Sequence, residues 1–414
     1  MMAALPMHTR RNVALWVAYD FANSIVSITF FLYFAQWAVV DKGIADFHFN
    51  LAFTLSAFLL LLTAPITGVF LDSSLRRITG LRWSTATAAA LYGACALFAV
   101  AGNAWGALIC FAFALYIYLL SFTFYTPLMN DIASPERRGR ISGFGIAANY
   151  AGQFAGLLLA LPFSKGVWTV FHASPRAETL LPATVVFFLL SLPTLIWFEE
   201  PGRGTERVPF GKAIRTVVAE TKNIFLRPGI AAFLGAYFLF NDAVLTVSNN
   251  FPIFLEQVWH VSDTVKTVLL LAILVTCGIG GMVSGMIADR YGHRRTLFVV
   301  LCGWVFLLPL VGLLVSFPWF VFATVMMGFW FGATWTVSRS AMGDIAPKDK
   351  HNLAFAYFGL AERASSFVGP VVWGLMVSGL SGLGSDRYRV AIVAISAFII
   401  FGAALLRRVP AGKA

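Results

Sequence analysis

The chain has 414 residues, 59% of them hydrophobic and only 12% charged, against about 25% charged in a soluble globular protein. With a mean hydropathy of +0.79, this excludes a water-soluble domain and indicates a chain that crosses a membrane many times. The net charge of +11 is where a nucleic-acid partner would first be sought, but its placement along the chain excludes one, as shown below.

Near the N-terminus, Arg10-Arg11 precedes an apolar run from Val13 to Val40. That run is too long for the apolar core of a secretory signal, and no small-residue cleavage site follows it. It reads as a first transmembrane helix that stays. A helix needs about 20 apolar residues to cross the hydrocarbon core. Twelve segments qualify, near 13–40, 51–72, 83–101, 104–129, 141–163, 180–198, 229–254, 264–288, 296–316, 318–343, 352–378 and 388–408. The runs are continuous rather than alternating, which excludes a β-barrel. The predicted architecture is all-α: a six-helix bundle over 1–200, a linker over 201–228 and a second six-helix bundle over 229–414. The linker sets Phe210, Ile214, Val217, Val218, Thr221, Ile224 and Phe225 on one helical face. It reads as an amphipathic connector lying on the membrane surface.

Orientation follows from Lys and Arg. With twelve spans, both termini and the even-numbered loops share one side. Of the 30 basic residues, 23 fall on that side, 6 on the opposite side, and Arg363 lies inside a span. That side is predicted to be the cytoplasm, and the asymmetry accounts for the basic charge without nucleic acid.

The spans carry few polar groups. Span 1 holds Tyr19-Asp20-Phe21-Ala22-Asn23-Ser24. A carboxylate at a helix centre costs about 2.5–3.5 kcal/mol on insertion scales, so it marks a functional site by default. Asp20 lies about 12 Å past Asn12 along the axis, in the cytoplasmic half, with Asn23 on nearly the same face. Span 7 holds Tyr237 and Asn241-Asp242, and span 11 holds Glu362-Arg363 near its middle. Tyr150 and Trp335 are further candidate cavity residues. Three roles compete for the ionisable groups: a structural ion pair, proton coupling, or direct contact with a solute. The favoured assignment gives proton titration to Asp20 or Glu362 and anion contact to Arg363. Adjacent residues differ by about 100° around a helix, so Glu362 and Arg363 are expected to pair with neighbouring helices.

The chain repeats itself. Gly68-Val-Phe-Leu-Asp72 with Arg76-Arg77 returns as Gly285-Met-Ile-Ala-Asp289 with Arg290, Arg294 and Arg295. Asp131-Ile132-Ala133-Ser134-Pro135 returns as Asp344-Ile345-Ala346-Pro347, and the span 1 cluster has a looser counterpart in span 7. Two parallel six-helix repeats are the plan of the major facilitator superfamily, with a substrate site between the halves near the midplane. Gly68, Asp72, Arg76, Gly285, Asp289, Arg290 and Arg294 are therefore candidates for a cytoplasmic gate. The first copy departs from the usual pattern, with Ser73 in place of Arg and Leu75 in place of Gly. Gly152-x-x-x-Gly156 in span 5 and Gly281-x-x-x-Gly285 in span 8 permit close helix contact. In this plan spans 5 and 8 meet across the halves; generic packing is the favoured reading of the spacing, which also suits a sliding contact there.

Tyr19-Asp20-Phe21-Ala22-Asn23-Ser24 resembles the first-helix signature of the vacuolar effluxer-like branch of that superfamily, which includes the autophagy-related vacuolar amino-acid effluxers. Similar matches are Phe124-Tyr125-x-Pro127, the run Ile132 to Gly143, Tyr237-Phe238-Leu239-Phe240-Asn241-Asp242, and Ala361 to Pro370, where that branch usually has Gly-Lys in place of Glu362-Arg363. The resemblance implies secondary transport, with amino acids as the guiding substrate class. No nucleophile–base constellation, P-loop, HExxH or CxxC is present. The four cysteines (Cys95, Cys110, Cys277, Cys302) all lie in apolar runs. The chain thus reads as a non-enzyme without metal or cofactor, and the missing P-loop removes ATP as a direct energy source. The expectation is a proton-linked secondary transporter of a small polar or amphipathic solute, with export favoured. It would be a monomer among membrane lipids, in the cytoplasmic (inner) membrane if bacterial. The alternatives are a lipid or lysolipid flippase on the same fold, and a non-transporting receptor or scaffold.

Overall fold

The computed structural model describes residues 7–73, 76–132, 138–200, 215, 219, 229–346 and 351–409. Among them every regular element is helical. In chain order they are α1 (Met7–Thr29), α2 (Asp46–Ser73), α3 (Arg77–Val100), α4 (Ala104–Ile132), α5 (Arg138–Ser164), α6 (Pro175–Glu178) and α7 (Leu180–Trp197). Then come α8 (Ile230–Trp259), α9 (Asp263–Tyr291), α10 (His293–Leu313), α11 (Phe317–Ile345), α12 (His351–Ala364), α13 (Gly369–Gly379) and α14 (Asp386–Leu406). Two wide π-type segments, Phe30–Phe34 and Trp37–Asp41, carry α1 onward. The predicted linker helix lies almost wholly outside the described residues.

Among the described residues, eleven stretches are long and apolar enough to span a membrane. They coincide with predicted spans 1–10 and 12. The predicted eleventh span is not one helix. It stops at Ala364 and restarts at Gly369, so α12 and α13 share it. Pro370, in the first turn of α13, has no N–H for the carbonyl of Ser366, and its ring would strike that carbonyl. Internal prolines at 127, 162, 193, 252 and 309 leave their helices continuous, so proline alone does not open a break. Ser365 and Ser366 supply the rest, because serine side chains compete for backbone partners.

Local sequence explains other ends. Ser262 caps α9 by accepting from the Val265 N–H at 3.5 Å. Gly292 ends α9 at φ +92°, a conformation that disfavours a Cβ. Its N–H closes on the Ala288 carbonyl at 2.8 Å.

Two compact units form. One contains Met1–Ile44 and Leu59–Val217, the other Ala45–Phe58 and Val218–Ala414. The start of α2 thus groups with the second unit. In the first unit α3 packs along α4, α1 along α5 and α7, and α3 along α7. In the second, α10 packs along α11, α8 along α14 and α10 along α14, so three pairings recur at matching places in the repeat. One pairing that differs is span 1 with span 5. There α1 runs along an unbroken α5, whereas its counterpart α8 faces the interrupted α12–α13.

The glycines of α5 make the α1–α5 contact close. A Cβ on Gly152 would collide with the Phe21 carbonyl, and one on Gly156 would lie 2.9 Å from the Ile25 carbonyl oxygen. Gly281 and Gly285 of α9 face Thr336 of α11 at 2.9 and 3.5 Å. Both small-residue pairs thus make close contacts inside their own unit.

Candidate functional site

The first unit builds its polar cluster on α1. Trp16 and Tyr125 stack at 4.9 Å with planes 4° apart. The Trp16 indole donates to the Tyr125 carbonyl at 3.3 Å, and the Tyr125 hydroxyl donates to the Trp16 carbonyl at 2.8 Å. This reciprocal pair joins the first-helix signature to the Phe124-Tyr125 motif of α4. Tyr19, fully buried, shares a hydrogen bond with Thr85 of α3 at 2.7 Å. Asp20 is partly buried and accepts from the Asn149 amide of α5 at 3.4 Å, while Gln153 donates to Asn149 at 2.7 Å. Tyr150, on the same stretch of α5, is half-buried. Asn23 is 1% exposed, and neither amide atom has a hydrogen-bond partner among the described residues. Asp20 and Asn23 are thus on one helix but in different surroundings. An apolar groove of about 500 Å³ also lies between α1 and α5, lined by Val17, Ala18, Phe21, Phe144, Ala148 and neighbouring alanines.

In the second unit, the break in span 11 is stitched by two adjacent residues of α8. Asn241 holds the end of α12, donating to the Glu362 carbonyl at 3.1 Å and to the Ser365 hydroxyl at 2.5 Å. Asp242 holds the start of α13, accepting the Val368 and Gly369 N–H groups at 3.1 and 2.8 Å. A helix N-terminus presents orphan N–H groups and a partial positive charge, and a carboxylate satisfies both. The Trp335 indole of α11 donates to Asn241 at 3.3 Å. Both Asn241 and Asp242 are 0% exposed. Thr54 of α2 donates to the Phe367 carbonyl at 3.0 Å, and Asn249 to the Ser366 hydroxyl at 3.5 Å. Irregular backbone at membrane depth survives only where protein or water satisfies it, and here side chains of α8 and α2 do so.

At the edge of the break, Glu362 lies 3.8 Å from Arg339 of α11, with side chains 27% and 46% exposed. The pair is long and open enough to exchange partners. Arg363 turns back along α12 to donate to the Gly359 carbonyl at 3.1 Å. The Tyr237 hydroxyl, fully buried, has no hydrogen-bond partner among the described residues, and its ring packs on Phe358 at 4.5 Å.

Of the gate candidates, Gly68 and Asp72 lie in the last turns of α2, and their side chains are outside the described set. Arg76 is exposed at the start of α3. Gly285, Asp289 and Arg290 lie in the last turns of α9, with Arg290 over the Tyr291 ring at 5.5 Å. Arg294 donates to the Arg407 carbonyl at 2.9 Å. Asp289 meets His293 at 3.3 Å, and the other ring nitrogen of His293 meets Asp344 of α11 at 2.7 Å. Asp289 thus reaches a histidine, and that ring ties together two motifs that the sequence showed separately.

A family model described as vacuole effluxer Atg22 like matches residues 126–414. The chain belongs to that family. Among curated relatives, this Atg22-like chain is similar to autophagy-related protein 22 of Yarrowia lipolytica, with 23% identity over 63% of the chain and 49% of the relative. It thus spans about half the length of that relative. It is also similar to a multi-drug resistance efflux pump PmrA homolog of Lactococcus lactis, with 23% identity over 94% and 93% of the two chains. The fold matches that of a bacterial homolog of the human lysosomal transporter Spinster, with a TM-score of 0.77, 13% identity and 98% of each chain covered. It also matches the nucleoside transporter NupG, in a D323A mutant, with a TM-score of 0.77, 11% identity and 96% and 100% covered. These likenesses give the Atg22-like chain the major facilitator fold of an integral, multi-pass membrane protein.

From the sequence, Arg339 stands out one helical turn after Trp335 but reads as a positive-inside anchor near the end of span 10, and His293 is missed. His293 left no signal beyond its place beside the second basic motif.

Proposed function

We propose that the protein is a secondary active transporter of a small amphipathic, amino-acid-like solute, coupled to protons and working by alternating access. In this reading the chain crosses the membrane twelve times, with α12 and α13 forming the eleventh crossing and both termini in the cytoplasm. It works as a monomer in a cytoplasmic membrane, with export as the favoured direction. The observation that carries the reading is the broken span. Discontinuous helices near mid-membrane are where transporters of this kind bind solutes and ions. Here the break is flanked by the half-open Arg339–Glu362 pair, with Trp335 and Asn241 behind it. A zwitterion can enter such a pair with its carboxylate on Arg339 and its ammonium on Glu362, so that no charge is left unmatched. Arg363, Asp20, Asn23 and Tyr150 complete the proposed set, Asp20 and Glu362 as proton-carrying groups. Asp289, Arg290 and Arg294, with Gly285, and their first-copy counterparts Gly68, Asp72 and Arg76 form the proposed gate.

The test is flux of a panel of radiolabelled L-amino acids in proteoliposomes, with and without a pH gradient. Gradient-driven flux is expected, and it falls at least tenfold in Arg339→Ala and Glu362→Gln. Equal flux in the variants and the wild type sinks the reading. The apolar α1–α5 groove favours one second reading, movement of a lipid or lysolipid. It predicts translocation of a fluorescent lysolipid in the same vesicles, insensitive to Arg339→Ala.

A further inference from the structure

Asp242 does more than a cap requires. Its Oδ2 accepts both the Val368 and the Gly369 N–H, and its Oδ1 lies 3.5 Å from the Thr246 hydroxyl. Ser, Thr or Asn caps a helix about as well, without placing a charge inside a membrane. A carboxylate differs from these in that it can take up a proton.

We propose that Asp242 is a proton-weakened clasp on the break between α12 and α13. The inference rests on the proton-coupled reading above and adds a third titrating carboxylate to Asp20 and Glu362. A proton from water adds to Oδ1, which then donates to Thr246, and no other covalent bond changes. Oδ2 remains an acceptor, but its two charge-assisted bonds become neutral ones, roughly half as strong. The attraction between the carboxylate and the N-terminus of α13 is lost with the charge. Asn241 does not titrate, so its hold on Glu362 and Ser365 persists. Protonation therefore loosens α13 while α12, with Glu362 and Arg363, stays fastened to α8. The chain between them, 365–368, is where the change is absorbed.

Few other charges bear on this site. On α8 the nearest titratable side chain is Tyr237. On α11 they are Arg339 and, at its end, Asp344. On α12 they are Tyr357, Glu362 and Arg363. Helix α13 has none. Helix α14 has none between Val390 and Leu406, and the start of α2 has Asp46 and His48. Gly369 gives an independent handle. A Cβ there would collide with the Thr246 hydroxyl and lie 2.8 Å from Asp242 Oδ1. Gly369→Ala thus opens the clasp by crowding and leaves the titrating group in place.

Hydrogen–deuterium exchange of the full chain in lipid nanodiscs, compared at pH 8 and pH 5 after correction for intrinsic rates, tests the clasp. Protection of the amides at 366–369 is expected to fall about tenfold or more on acidification. Helices α9–α11 should not change. Asp242→Asn should show no change in protection between the two pH values, and Gly369→Ala should show low protection at both. Equal wild-type protection at the two pH values overturns the proposal, and so does a pH effect that survives in Asp242→Asn. If Asp242→Asn does not fold, the wild-type comparison still decides. Gradient-driven flux with pH-independent protection leaves the transport reading standing and removes the clasp. A titrating clasp without gradient-driven flux does the reverse.

Discussion

Asn23 shows what a single residue can reveal. A buried amide with no partner costs about 1–3 kcal/mol, so a purely structural residue at this place would be apolar. Replacing it with leucine removes the cost at similar volume. Asn23→Leu is therefore expected to leave the melting temperature unchanged or raise it, while lowering solute flux. A stability loss of several kcal/mol in a thermal melt would show instead that the amide serves the fold. The sequence singled out Asn23 because it follows Asp20 by three residues in an apolar run. Its isolation from Asp20 was not legible, because spacing gives a helix face but not which neighbours occupy it.

At the scale of elements, the apolar runs located nearly every span, because lipid demands about 20 apolar residues in a row and the demand is written residue by residue. The break at 365–368 was not visible in that way. Pro370 and the two serines weaken the helix there, but proline leaves other helices of this chain continuous, and what holds the break open is a pair of side chains more than 120 positions away, Asn241 and Asp242. The same long-range cause explains why Arg339 read as a surface anchor. The packing of α5 on α1 was legible in part: the Gly152-x-x-x-Gly156 spacing announced close contact but not the partner. Here Gly152→Leu would force α5 off the Phe21 carbonyl. A loss of about 1–3 kcal/mol is expected, read as a lower melting temperature in detergent. No change would show that α1 can yield at that point.

For the whole molecule, the duplication in sequence and the division in structure do not coincide. Helix α2 is continuous, yet its first half belongs to the unit built mainly from the second repeat. Within that unit Asn50 and Asn250 exchange amide hydrogen bonds at 2.9 and 2.8 Å. The Tyr388 hydroxyl donates to Asp46 at 3.0 Å, and a Cβ on Gly374 would meet the Phe47 backbone at 2.7 Å. A fragment covering 229–414 lacks all of these partners and leaves Asn250 half satisfied. Expressed alone it is expected to be degraded or aggregated, and co-expression with 1–228 should restore it, as read by fluorescence size-exclusion chromatography. A stable lone fragment would show that residues 45–58 are dispensable to it.

The shared helix also limits how the two halves can evolve. A change at Asn250 must be matched at Asn50, 200 residues earlier, and one at Gly374 at Phe47, both in the other copy of the duplicated segment. Exchanging whole second halves between distant relatives would therefore separate residues that have to change together. Recombination at the linker is expected to yield working hybrids only when the stretch 45–58 travels with the second half.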